Sequence, residues 1–363
     1  MTKTGWKEAA LAVLLASALG AALDDASAQE FADKDVTMIV NYTPGGPTDI
    51  EARLVAQFLP KHLQGVRSIV VHNVGGAGGA IGVNTLGVPK ASDRLNISFF
   101  TWDPMDQLIN NSVLRVRYDN LKFVAGFQQV SIVYARKDTP PGLTRPADIV
   151  KAPLVRSGFL SPTNHSTVRQ RLAFDLLGVR YESIPGYRGL KDIELAILQG
   201  DINATNNSLP GWYATIKPNL ADKGVVIPLF QYDCDTADCT RGRSPTLPDV
   251  MSYTEVYKEV KGPTAVPSGQ KWDALQLLTR IMDSMYRTVF MPPNAPPAAV
   301  EEMRVAFDKL SRDPEFIAAY EKIVKTKPRM LVGARGDAII QSLGKVPPEM
   351  LTFFQAYVAD VPR

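Results

Sequence analysis

The chain has 363 residues, of which 45% are hydrophobic and 21% charged, with a formal net charge of +3. These proportions are those of a globular protein, and the length suffices for two domains with separate cores. The basic excess is scattered without a Lys/Arg block, which argues against a nucleic-acid partner.

In chain order, the first element is an address. Lys3 and Lys7 precede an apolar core from Ala9 to Leu23, and the small residues Ala26 to Ala28 form a cleavage site. This is the pattern of a Sec signal peptide, cleaved near Ala28, and its core is short for a membrane span. The expected location of the protein is the periplasm. Strand "VTMIVNY" then runs into the turn Pro44, Gly45, Gly46, Pro47, with a helix expected from Asp49 to His62. Thr48 and Glu51 have the spacing of a capping box. Strand "SIVVHNV" enters the Gly turn "GGAGGAIG", and strand "LNISFFTW" is followed by a short helix or loop from Asp103 to Asn111. One or two strands lie in "FVAGFQQVSIVYARKD" before the Pro-rich break "TPPGLTRPADIVKAP". The rhythm then restarts with strand "PLVRSG", a helix from Thr163 to Leu177, strand "RYESIPGY", helix "GLKDIELAILQG" and strand "INATNN". A further strand "GVVIPLF" precedes a cysteine loop, and the C-terminal third reads as strand "YRTVFM" with amphipathic helices.

The βαβ rhythm implies parallel sheets covered by helices. Two such units give a discontinuous first domain, 29–134 with 233–363, a second domain, 135–232, and a hinged cleft between them. The only cysteines, Cys234 and Cys239, form in an exported chain the simplest possible disulfide.

The strict dinucleotide fingerprint fails, because Ile81 stands at the third glycine position. No nucleotide loop, nucleophile elbow, metal-ligand cluster or catalytic triad stands out, so no cofactor, metal or catalytic residue is expected. One device recurs instead. Pro44 to Thr48, Gly75 to Gly79, Ser157 to Ser166 and Pro185 to Leu190 each lie between a strand and a helix. Open α/β sheets bind ligands at this end, and helix N-termini there suit a carboxylate.

The stretches "VNYTPGGPTDIEARLVAQFL", "VVHNVGGAGGAIGVNTL", "SGFLSPTNHS", "PGYRGLKDIELAILQGDINA" and "TLPDVMSYTE" resemble the Bug proteins, periplasmic solute-binding proteins of the tripartite tricarboxylate transporter (TctC-like) type. The resemblance implies an α/β Venus-flytrap fold with mixed or parallel sheets. It implies a monomer that holds a small organic carboxylate and delivers it to membrane permease subunits, and it implies no enzyme activity. The ligand contacts it implies are Tyr42, Pro44, Gly45, Gly46, Thr48 and Asp49 in the first loop, and Gly76, Ala77 and Gly78 in the second. From the other domain come Ser157, Ser161, Thr163, His165, Tyr187, Arg188, Asn206 and Asn207. Asp49 cannot hold an anion itself and either orders water, accepts from a ligand hydroxyl or supports the helix start. Trp102 stands where small residues are frequent in such proteins, and it is either a stacking wall for an aromatic or long-chain acid or lid packing. Two other classes are open: a ligand-presenting partner of a membrane histidine kinase, and a periplasmic α/β enzyme, which needs a paired acid and base at the cleft.

Overall fold

The computed structural model describes residues 29–88, 90–234 and 239–360, so the signal-peptide segment lies outside the described residues. Strands β1 (Asp35–Val40), β2 (Ser68–Asn73), β3 (Ile97–Thr101) and β4 (Lys122–Phe127) open the first sheet. Strands β5 (Ser131–Arg136), β6 (Val155–Phe159), β7 (Tyr181–Pro185), β8 (Ala204–Ser208) and β9 (Val226–Gln231) make the second. The chain then returns to the first sheet with β10 (Arg287–Met291) and β11 (Met330–Val332). Strand orders are β11-β4-β10-β3-β1-β2 and β7-β6-β8-β5-β9.

Both sheets are mixed. β1 runs parallel to β2 and β3, and β6 runs parallel to β7 and β8. The remaining pairs, which involve β4, β5, β10 and β11, are antiparallel. Burial follows position. Every residue of central β3 (ISFFT) is buried, whereas edge strand β2 alternates partly buried with exposed, as strands covered on two faces or one should.

Helix α1 (Pro47–Phe58) follows β1, and α2 (Ala80–Gly87) follows β2. In the second lobe α3 (His165–Leu177) follows β6 and α4 (Leu190–Gln199) follows β7. Asn164 caps α3 by accepting from the Ser166 N–H. Segment 212–221 is a π-helical stretch with Pro218 inside it.

Two sequence expectations about domains change. β5 belongs wholly to the second sheet, so a boundary between 134 and 135 falls inside a strand. The return to the first lobe also comes later than residue 233. Helices α5 (Tyr253–Lys261) and α6 (Gln270–Ser284) pack on α3 of the second lobe, and Tyr253 Oη donates to the Ala173 carbonyl. Helices α7 (Pro297–Leu310), α8 (Pro314–Val324) and α9 (Ala334–Ser342) cover the first sheet and its α1. The C-terminal α10 (Pro348–Ala359) goes back to the second lobe, where Arg171 donates to the Tyr357 and Asp360 carbonyls. The chain therefore re-enters the first sheet at β10. Cys234 and Cys239 are joined as a disulfide, with Cα atoms 5.9 Å apart.

Candidate functional site

The carboxyl ends of β1, β2 and β3 face those of β6, β7 and β8, and the lobes touch. His165 N–H donates across the gap to the Asp103 carboxylate at 3.2 Å. Thr163 Oγ1 donates to Asp106 at 2.9 Å, and Asn164 Nδ2 to Tyr42 Oη at 3.3 Å. These contacts define a closed cleft. It contains an inner chamber and a wider outer vestibule, which share Tyr42, Thr43 and Leu160 as their common wall.

The vestibule is built on the glycine loop. Gly76, Ala77, Gly78 and Gly79 have φ of +126°, +48°, +65° and +102°. Successive residues of this kind turn their N–H groups into a concavity that fits an anion. The N–H groups of Gly76, Ala77 and Gly78 have no acceptor among the described residues. The site needs glycine sterically as well: a Cβ on Gly78 would stand 2.9 Å from Ser161 Cβ of the opposite lobe. Tyr42 Oη donates to the Gly78 carbonyl at 2.7 Å and fixes the loop. Across the vestibule stand Tyr187 and the exposed Arg188.

The inner chamber is lined from the first lobe by Gly46, Pro47, Thr48 and Thr101, and from the second by His165, Asn206, Asn207 and Ser208. Tyr286 and Arg287, at the return crossing into β10, complete the wall. Gly46 is the N-cap of α1, with Pro47 at its first position; Pro lacks the N–H that would be unsatisfied there. The N–H groups of Thr48 and Asp49 have no protein acceptor among the described residues, which is the usual state of a helix start that awaits a ligand or water.

The capping box does not form. Thr48 Oγ1 hydrogen-bonds Thr101 Oγ1 at 2.8 Å instead. Glu51 accepts from Arg287 Nε at 2.7 Å, from Tyr320 Oη at 2.9 Å and from Gln129 Nε2. Burial pulls the Glu51 carboxyl upward, and the Arg287 charge opposes this.

Sequence reasoning missed Arg287. Its guanidinium is buried and also donates to Thr101 Oγ1 at 2.7 Å and Ser208 Oγ at 3.0 Å. The local signal around it, "YRTVFM", is only that of a strand start. Tyr286, the residue before it and also a lining residue, was missed for the same reason.

Eleven of the eighteen expected residues line the two chambers, and seven do not: Gly45 is exposed in its turn, Ser161 and Thr163 hydrogen-bond each other at the seam between the lobes, and four more take other roles. Trp102 is fully buried, edge-on to Tyr118, and lines neither chamber; the stacking-wall expectation gives way to core packing. Ser157 is buried within β6, where its hydroxyl accepts from Gln170 Nε2 at 3.2 Å. Pro44 is exposed on the outer side of its turn. Asp49 turns back to accept from Gly45 N–H at 2.8 Å and Arg53 Nε at 3.0 Å. Burial raises its pKa, but the Arg53 and Gly45 hydrogen bonds outweigh this and hold it below the usual range. It therefore supports the turn.

Two buried carboxylates and a histidine line the seam between the lobes. Asp103 is engaged by the main-chain N–H groups of Met105 and His165. Asp106 is pushed up to about 6 by burial and then by the Asp103 charge. Burial pushes His165 below its ordinary value, so its imidazole is neutral at pH 7. Among the described residues no group of three or more potential metal ligands occurs, and no helix is long and apolar enough to cross a membrane.

No family model matches the sequence. A curated relative, described as a UPF0065 protein in the TAR-I ttuE-ttuC' intergenic region of Agrobacterium vitis, is 28% identical over 246 residues, or 63% of this chain; the match spans 64% of that relative's length. Among solved structures, the periplasmic binding protein BugD superposes with a TM-score of 0.65 at 20% identity, covering 89% of this chain and 97% of its own. MatC from Rhodopseudomonas palustris, with bound malate, gives 0.62 at 18% identity over 89% and 98%. An R. palustris protein with adipate gives 0.64 at 18% over 91% and 98%. The chain has the two-lobed α/β fold of the periplasmic binding proteins.

Proposed function

We propose that this is an exported, monomeric solute-binding protein of the Bug type that captures an organic carboxylate in the cleft and delivers it to a tripartite tricarboxylate permease. The observation that carries the reading is the glycine loop. The loop lines a vestibule at the carboxyl ends of the strands, and three of its N–H groups have no acceptor among the described residues. A carboxylate satisfies such donors with charge-assisted hydrogen bonds and needs no countercharge of its own. The superposed proteins with malate and adipate support the same ligand class.

The domain reading that goes with it has two lobes closing about the crossings near residues 130 and 286. Binding fits this cleft better than catalysis does. The pair that resembles an acid and base is Asp103 and His165, but main-chain N–H groups hold Asp103, and His165 Nδ1 lies 3.6 Å from it. Gentle denaturation of protein purified from the periplasm, followed by mass spectrometry, should release a small carboxylic acid. Release of a sugar, amine or nucleotide as the bound species would overturn the reading.

A further inference from the structure

Asp103 and Asp106 follow β3 in the first lobe, three positions apart at the short helical turn Met105–Leu108. Both are buried, at 5% and 6% exposure, and among the described residues neither forms an ion pair with a lysine or arginine. Each carboxylate has one partner in its own lobe and one across the seam. Asp103 accepts from Met105 N–H at 3.1 Å and, through both oxygens, from His165 N–H at 3.2 Å. Asp106 accepts from Asn111 Nδ2 at 2.8 Å and from Thr163 Oγ1 at 2.9 Å. The local partner holds each carboxylate in place before the lobes meet, so little ordering remains when they do.

The contact with Asp103 has a specific geometry. His165 is the first residue of α3, and Asn164, its N-cap, satisfies the Ser166 N–H. The His165 N–H is left to Asp103, which completes the cap of α3 from the opposite lobe. A carboxylate at a helix N-terminus is also favoured by the helix dipole. A buried donor that loses its acceptor is costly, whereas water replaces the acceptor once the lobes part.

We propose that Asp103 and Asp106 form a latch: they grip the start of α3 and hold the lobes together before any solute binds. They are positioning residues of the cleft and contribute to its closure whatever solute it takes. Capture of a solute then begins with release of the latch.

The test is a distance measurement by double electron–electron resonance on ligand-stripped mature protein, with nitroxides on Val88→Cys and Leu195→Cys. These positions are exposed, one on each lobe, and the native cysteines are paired. The labelled parent should give mainly one short distance. His165→Pro is then compared with His165→Ala: both lose the imidazole, and only proline loses the N–H. Proline is well tolerated at the first helical position, and Asn164, with ψ of 141°, has the backbone that suits a residue before proline. His165→Pro should raise the ratio of open to closed protein about tenfold over His165→Ala, the scale of one hydrogen bond to a charged group. With Asp103→Ala added to both, the two should be equal, because the lost N–H no longer has a partner to orphan. Thr163→Val, which breaks only the second contact, should also lengthen the distance. Circular dichroism verifies folding, and each comparison reads one contact by itself. A long distance in the labelled parent would overturn the proposal. So would a proline effect that persists without Asp103, or distances that none of the variants changes.

Discussion

Glu51 stands three residues after Thr48, yet neither side chain caps the helix they begin. Thr48 is bound to Thr101, and Glu51 to Arg287, 236 positions along the chain. A local motif was legible in the sequence, but the partner that captured the carboxylate was not, because nothing near "YRTVFM" points back to residue 51. The ion pair is buried on both sides, so breaking one half leaves an unpaired charge. Arg287→Ala should cost about 3–5 kcal/mol in urea unfolding, and Glu51→Leu/Arg287→Met should cost far less. Equal losses in the two proteins would contradict this. The sequence marks the turn residue Gly46 as a place where a ligand comes close to the backbone. A Cβ there meets only the Thr43 carbonyl oxygen, at 3.7 Å, and its φ of −82° suits any residue. Gly46→Val should therefore fold normally and lose ligand binding, because the side chain fills the small inner chamber. Unchanged affinity by calorimetry would make the turn a mere connection.

The elements on the cleft were largely readable as a strand, a Gly-rich or polar turn and a helix, because hydrophobic period and turn residues are local signals. The direction of the returning strands was not. β10, on which the chain comes back from the other lobe, runs antiparallel to β3 and β4, and β11 runs antiparallel to β4, and periodicity carries no information on direction. The same holds for the π-helical stretch at 212–221, which no pattern announced. The turn before α4 shows how tightly the lobes meet. Gly189 is extended at φ −164°, so alanine fits its backbone, yet a Cβ would stand 2.2 Å from Thr43 Oγ1 in the first lobe. Gly189→Ala should leave stability within about 1 kcal/mol, as for a substitution without backbone strain, and weaken ligand affinity by blocking closure. In small-angle scattering at saturating ligand, the variant should keep a larger radius of gyration than wild type. Identical compaction would show that the lobes do not close on this contact.

At the scale of the whole molecule, the two-unit plan was legible from the Pro-rich break after β5, but the allocation of the C-terminal third was not. Helices α5, α6 and α10 pack on the second lobe through Tyr253, Arg171 and α3, contacts that hydrophobic patterning cannot assign to one lobe or the other. Burial, and then the Asp103 charge, raise the pKa of Asp106 to about 6 against the opposing hydrogen bonds from Asn111 and Thr163, compared with about 3.9 in an unfolded chain. A carboxyl raised on folding adds stability below pH 4 that is lost as pH rises through 6. The contribution is at most about 3 kcal/mol, at 1.36 kcal/mol per unit. Asp106→Asn removes it, so the stability difference between variant and wild type should move in favour of the variant between pH 4 and 7. A difference independent of pH would place Asp106 in a solvated setting.

Closure around an acid is the central claim, and thermal unfolding of ligand-stripped protein tests it most directly. A ligand of the native state alone adds about 2.7 kcal/mol at a hundredfold excess over Kd, which for a protein of this size raises the melting temperature by about 4 °C. A panel of mono- and dicarboxylates, aliphatic and aromatic, is compared with the fully methylated esters. At least one acid should produce the shift, and its ester far less, because a neutral ester cannot form the charge-assisted contacts with the free N–H groups. Equal shifts from acids and esters, or larger shifts from sugars or amines than from any acid, would contradict the claim.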